Sequence, residues 1–187
     1  MQPALASPIF QNAQFNSGNM QYGDAIQRAE FGNDVATISP DYHVLLSKPV
    51  VLPTVPIIVP AQSGREATTR TSGVPFGLVD INFFTPQIEK LIGTLPLPAT
   101  VVPIFLTNNT FLFAGTPCAC CILGFHDAVP DSSGKQLHTF IETAYIDPGV
   151  YPRPTADITA FSHEISEWMN DPFKRSLYLS RNFHYCC

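Results

Sequence analysis

Near the end of the chain, a short segment has the residue types and the spacing of a metal-dependent hydrolytic site: His163-Glu164-Ile165-Ser166-Glu167. In a helix, His163 and Glu167 are one turn apart and lie on the same face. The H-E-x-x-H helix of zinc proteases uses these two positions as ligands, and its adjacent Glu is the general base for the metal-bound water. Zinc also accepts carboxylate oxygen, at about 2.0–2.2 Å. The spacing therefore predicts a zinc site with His163 and Glu167 as ligands and Glu164 as the catalytic base.

The helix that carries this segment is predicted to begin with Thr155 as its N-cap, with Asp157 in the first turn, and to end at Pro172. At about 100° per residue, the polar and apolar residues fall on two sides. The apolar side, expected to face a core, comprises Ile158, Phe161, Ile165, Trp168 and Met169. The opposite side comprises His163, Glu164, Glu167 and Asp171. We therefore expect one imidazole and three carboxylates to share a face away from the core.

The preceding part of the chain alternates between helix-prone and strand-prone segments. Predicted helices cover residues 22–31 and 85–93, the second beginning with Thr85 and Pro86. Predicted strands are residues 8–10, 77–84, 101–106, 111–114, 120–126 and 137–147. Residues 43–59 are expected to be extended and 62–73 to form a polar loop. The pattern predicts an α+β (mixed α/β) domain with a mixed sheet and its best-defined helix late in the chain.

The segment Ser162-His-Glu-Ile-Ser-Glu-Trp-Met-Asn-Asp-Pro-Phe173 resembles a signature of a group of largely uncharacterised bacterial exported proteins with a zincin-like helix. More distantly, it is similar to the His-Glu-x-x-Glu stretch of the plant phosphate-induced Exordium-type proteins. Residues 21–29, 77–82, 103–106 and 145–147 are also similar to the bacterial group, and the resemblance covers about residues 8–173. It implies a single zincin-like domain over 1–173 and a metallopeptidase-like hydrolase acting on peptide or protein substrates. It implies the same roles for His163, Glu164 and Glu167.

A third metal ligand is not defined by the sequence. The similar proteins continue into a Glu-x-Gly-Asp stretch that could supply one, whereas residues 174–187 here lack that stretch and hold three of the ten basic residues. We interpret 174–187 as an atypical tail, truncated or altered in reading frame, so that the site could be inactive in this chain. His184 and Asp171 are the candidate third ligands. His126 and His138 flank a predicted turn, could face each other on paired strands, and are further alternatives.

The five cysteines form two clusters, Cys118-x-Cys120-Cys121 and Cys186-Cys187. The first cluster could bind a soft metal, or its members could be buried thiols or form a disulfide with a terminal cysteine. A cysteine-centred metal or redox role is therefore one alternative function. The other is a non-catalytic extracellular binding or structural module that keeps the late helix for packing.

The composition excludes several functions. Only 13% of the 187 residues are charged, against roughly 25% in average proteins. A net charge of -5 provides no basic surface for nucleic acid. No apolar stretch is long enough to span a membrane. Low charge and 18 prolines are typical of exported proteins, so we expect an extracellular or periplasmic location. The first residues have no signal-peptide pattern, so we expect that an exported chain either begins here after the cleavage site or is incomplete.

Overall fold

The computed structural model describes residues 2–38, 45–98, 100–131, 133–151, 156–173 and 176–179. Its helices are α1 (Gln2–Leu5), α2 (Tyr22–Ile38), α3 (Ile81–Thr94) and α4 (Thr159–Asn170). Its strands are β1 (Asn12–Phe15), β2 (Gly18–Gln21), β3 (Gly64–Thr68), β4 (Pro75–Asp80), β5 (Ile104–Asn108), β6 (Thr110–Phe113), β7 (Cys120–Pro130), β8 (Leu137–Tyr145) and β9 (Ser176–Leu179). None of the helices in these ranges is long and apolar enough to cross a membrane.

The chain forms two compact units, Met1–Thr54 and Val55–Cys187. The single domain expected over 1–173 stays a prediction. In the first unit, β1 and β2 form an antiparallel hairpin that leads directly into α2. The helix continues past the expected stop at residue 31, since a glycine inside a helix costs only about 1 kcal/mol. Pro8–Phe10 is a 3-10 helix and not a strand, because the Ser7 hydroxyl accepts a hydrogen bond from the Ile9 amide at 3.3 Å.

The second unit is built on a seven-stranded sheet. The strand order is β3-β4-β6-β7-β8-β5, and β9 also pairs with β7. The pairs β4–β6 and β5–β8 are parallel and the others are antiparallel. Helices beside a mixed sheet confirm the predicted mixed α/β class. Residues 176–179, which lie in the segment interpreted as a tail, form β9.

Helices α3 and α4 cover opposite faces of this sheet, because neighbouring strand residues alternate between two apolar clusters. The first cluster joins α3 to the sheet through Val79, Ile81, Phe84, Ile88, Ile92, Leu112, Ile122, Phe125 and Phe140. The second includes Ala160 of α4, together with Phe76, Leu78, Phe111, Phe113, Cys121 and Leu123 from the strands. Residue 122 thus faces α3, whereas residues 121 and 123 face α4.

Three predicted boundaries are wrong. The strand expected over 77–84 ends at Asp80, whose carboxylate accepts a hydrogen bond from the Asn82 amide at 2.9 Å and caps α3 there. Pro86 consequently lies inside the helix and not at its start. The polar segment 62–73 is not all loop, because residues 64–68 pair with β4. Polar sequence does not prevent a strand at a sheet edge, where pairing is decided by the neighbouring strand.

The late helix also begins later than expected. It starts at Thr159, and Ile158 at the N-cap position makes no side-chain capping hydrogen bond. Asp157 is not in its first turn: it has a φ of 64° and its backbone pairs with that of Ile146. This conformation and pairing hold residue 157 outside the helix. The expected N-cap, Thr155, lies outside the described residues.

Candidate metal centre

Helix α4 brings together the two side chains whose spacing suggested a metal site. His163 Nε2 lies 2.9 Å from Glu167 Oε1, and each side chain is 36% exposed. Four residues separate them, so the contact follows from the helical repeat alone. The pair lies at the edge of the helix that borders solvent.

Glu164 lies on the buried side of α4, contrary to the predicted division of the helix into two sides. The buried residues of the helix are Ala160, Phe161, Glu164 and Ile165, so Glu164 is in the middle of the packed face. Its side chain has no exposed surface. Burial of a carboxylate requires a partner, and the partner comes from the sheet.

That partner is His126 of β7, which is also completely buried. Its Nδ1 atom lies 3.3 Å from Glu164 Oε2, and its Nε2 atom lies 3.0 Å from the backbone carbonyl oxygen of Asp171. A carbonyl oxygen only accepts hydrogen bonds, so Nε2 carries the hydrogen. Nδ1 is then the atom that faces the carboxylate and that can offer a lone pair to a metal ion, an arrangement common among metal-binding histidines.

A β-bulge places His126 on the α4 side of the sheet. Where β7 pairs with β9, the register shifts between Ile122 and Gly124. Leu123 and Gly124 therefore both face α4, and Phe125 joins the α3 cluster. With strict alternation from Leu123, Phe125 would face α4 and His126 would face α3.

The two helix carboxylates and His126 form a group that could hold a metal ion. Each of His126, Glu164 and Glu167 offers one ligand atom, and these three atoms lie within 4.8 Å of one another. Two atoms bound to one tetrahedral zinc ion at about 2.0–2.2 Å are roughly 3.4 Å apart, so the side chains would have to move closer together to form the site. Within the described part of the chain, Glu164 Oε1 and Glu167 Oε2 are buried and have no hydrogen-bond partner. A cation would satisfy both oxygens.

Burial and the neighbouring charges shift the protonation of this group. Burial raises the pKa of Glu164, although the hydrogen bond from His126 and the charges of His163 and His126 partly oppose the increase. Burial alone would lower the pKa of His126. The hydrogen bond and charge of Glu164, together with the hydrogen bond to the Asp171 carbonyl and the charge of Glu167, outweigh burial and raise that pKa. The pair therefore retains protons that a metal ion would have to displace.

A third acidic side chain, Glu142 of β8, is buried close enough to respond to the charge of Glu164. Its pKa is raised well above the usual value, first by burial and then by the charge of Glu164. Only 1% of the residue is exposed, and Oε2 has no hydrogen-bond partner within the described ranges. Glu142 is not a member of the potential metal-binding group.

Of the other candidate ligands, Asp171 and His138 lie in the described part of the chain and do not join the site. The side chain of Asp171 is exposed, and only its backbone carbonyl contacts His126. His184 lies outside the described residues. His126 and His138 do not face each other as expected, because the turn after β7 pairs Pro130 with Leu137 and so sets His126 opposite Ile141.

The cysteine cluster is also separate from the site. Cys120 and Cys121 are joined in a disulfide between adjacent residues, and the group that could bind a metal contains no cysteine among the residues described. Cys186 and Cys187 lie outside the described residues, so the expected pairing with a terminal cysteine stays a prediction.

No family model, curated protein or solved structure matches this chain. The site must therefore be interpreted from its own geometry. That geometry adds His126 to the helix carboxylates, a role for which the sequence offered little signal. The available signal was the Gly124-Phe125-His126 stretch, in which a strand carries a histidine two residues after a glycine.

Proposed function

We propose that this protein is a zinc-dependent hydrolase of the metallopeptidase type, whose metal is held by His126, Glu164 and Glu167. The observation that carries the proposal is the convergence of one ligand atom from each residue within 4.8 Å. The two buried carboxylate oxygens that have no hydrogen-bond partner among the described residues support it.

Zinc suits this set of ligands better than the other common divalent ions. Magnesium and calcium prefer sites composed of oxygen alone, whereas zinc accepts imidazole nitrogen with carboxylate oxygen. Three protein ligands leave a fourth position open, which is the pattern of catalytic zinc sites. When bound, zinc supplies a water of lowered pKa and polarises the carbonyl group of a peptide bond.

The geometry favours roles for Glu164 and His163 that differ from those inferred from the spacing. Glu164 is fully buried and directed at His126, so we propose that it is a ligand and not the base. His163 is half-exposed and bonded to Glu167, so we propose that it orients that ligand. The Asp171 carbonyl orients His126 in the same way, by accepting the hydrogen from Nε2.

Zinc affinity in three variants tests these assignments. We expect wild-type protein to bind one equivalent of zinc and His126→Ala to bind none. His163→Ala should bind about 10–100-fold more weakly, which is typical for loss of a residue that orients a ligand. His138→Ala is the matched control, since it removes a histidine from the neighbouring strand and should not change affinity. A folded wild-type protein that binds no zinc at micromolar concentration refutes the proposal.

Glu164→Gln separates the two roles of that residue. If Glu164 is a ligand, the variant loses most of its zinc affinity. If it is the base, as the spacing suggests, the variant keeps zinc and loses hydrolysis of a quenched fluorescent peptide library. The hydrolase assignment itself fails if the zinc-loaded wild-type protein cleaves none of these peptides.

A second candidate function is a non-catalytic module in which the metal stabilises the fold. The complete burial of His126 and Glu164 favours it, because a catalytic ion must be reached by substrate. In that case, removal of zinc lowers the melting temperature and the loaded protein has no hydrolytic activity. From the composition, we propose that the protein acts outside the cytoplasm, whether it is a hydrolase or a non-catalytic module.

A further inference from the structure

Gly124 lies in β7, two residues before His126, and faces α4. A Cβ atom at this position would lie 2.7 Å from Cγ and 3.2 Å from Oε1 of Glu164. Non-bonded carbon atoms approach no closer than about 3.5 Å without repulsion. A side chain at position 124 and the observed position of Glu164 therefore exclude each other.

The requirement for glycine here is steric. The φ angle of Gly124 is not in the left-handed region, so alanine could adopt this backbone conformation. What the glycine provides is space, and Glu164 occupies it. From there, Glu164 Oε2 reaches His126 Nδ1 at 3.3 Å.

We propose that Gly124 is a positioning residue of the metal centre. By lacking a side chain, it lets Glu164 enter the helix–sheet interface and directs its carboxylate to His126. The stretch Gly124-Phe125-His126 thus forms the strand half of the site: residue 124 supplies the space and residue 126 supplies the imidazole. The metal-binding part of this inference rests on the proposed function, whereas the steric part does not.

Zinc affinity of Gly124→Ala, measured by competition with a chelator, tests the positioning role. We expect an affinity about 10–100-fold below that of the wild type, as for loss of other groups that orient ligands. Gly77→Ala is the matched control, because a Cβ atom on that strand glycine would be no closer than 3.5 Å to its neighbours. Its zinc affinity should equal that of the wild type. Wild-type affinity in a folded Gly124→Ala variant overturns the inference.

A purely structural role must be separated, because the Cβ atom would also lie 2.8 Å from the backbone carbonyl oxygen of Glu142. The urea midpoint of metal-free protein is therefore compared for Gly124→Ala in wild-type and Glu164→Ala backgrounds. We expect a smaller shift in the Glu164→Ala background, where the clashing Cγ is gone. Equal shifts assign the clash to the carbonyl alone and overturn the inference.

The steric role of Gly124 can still be tested if the Gly124→Ala variant does not fold. Folding of the double variant Gly124→Ala/Glu164→Ala would then support the inference, and failure of both would overturn it. The comparison requires no metal. If the wild type binds no zinc, the proposed function fails while the steric role of Gly124 is still tested.

Discussion

Replacement of Glu142 by glutamine should change how the stability of the protein depends on pH. Glu142 is a buried carboxyl group of β8, and burial together with the charge of Glu164 holds its pKa well above the usual value of 4.5. The folded protein therefore keeps this proton at pH values where the unfolded chain has lost it. Glutamine has nearly the same shape as a protonated glutamate and cannot ionise.

The magnitude follows from one proton. When the folded state binds one proton more than the unfolded state, the free energy of unfolding falls by about 1.4 kcal/mol per pH unit. This decrease begins near pH 4.5 and ends at the pKa of the folded state. Glu164 and His126 also have raised pKa values. Their protons therefore add to the decrease of the wild-type free energy of unfolding as the pH rises. The difference between the Glu142→Gln and wild-type curves isolates the contribution of Glu142.

The assay is urea unfolding between pH 4 and 8 at constant ionic strength with a chelator present. The chain has one tryptophan, Trp168 of α4, so its fluorescence reports on the relevant helix. We expect equal stabilities near pH 4 and a growing advantage of Glu142→Gln above it. The exposed Glu89 provides the control, since Glu89→Gln should leave the curve unchanged. Parallel curves for Glu142→Gln and wild type would refute the reasoning from burial.

Two further substitutions test contacts that hold the sheet and its helices. Asp80→Ala removes the cap of α3 and should lower the free energy of unfolding by about 1 kcal/mol. Asp80→Asn should keep most of the stability that the cap contributes, because asparagine is also a good N-cap residue. An unchanged urea midpoint in Asp80→Ala would contradict the assignment of the cap. Asn109 has a φ of 45° and its side chain bonds to Asp147 Oδ2 at 2.8 Å and to the Asp147 amide at 2.8 Å. Asn109→Gly permits the backbone conformation but removes both hydrogen bonds to the partly buried Asp147. It should therefore still cost about 1 kcal/mol by calorimetry.

Local features of the site could be predicted from the sequence because they depend on a single helix. The contact between His163 and Glu167 follows from a spacing of four residues, and Pro172 follows the last residues of α4 as expected. The position of Glu164 could not be predicted in this way. A helical wheel groups residues by polarity, and Glu164 is buried only because the sheet offers it a histidine and an empty volume.

The contribution of His126 depends on a distant part of the chain. It lies 38 residues before Glu164, and no local pattern pairs the two. Even correct strand boundaries would not have predicted the face of the sheet on which His126 lies, because the bulge between Ile122 and Gly124 decides it. Alternation from the apolar residues 121 and 123 predicts the opposite side. The mixed α/β class was predictable because strand-prone and helix-prone segments alternate regardless of such details.

The bulge in β7 also has a consequence for how this protein can change during evolution. The side on which His126 emerges depends on the number of residues in the strand, since each added or removed residue reverses the two faces of everything beyond it. Substitutions before the bulge leave the site in place if they preserve packing. A single-residue insertion or deletion between Cys121 and His126 would exchange His126 with Phe125, however well the new residues packed. Related chains that keep this site should therefore keep the length of this segment, together with Gly124 and His126, while its other positions vary.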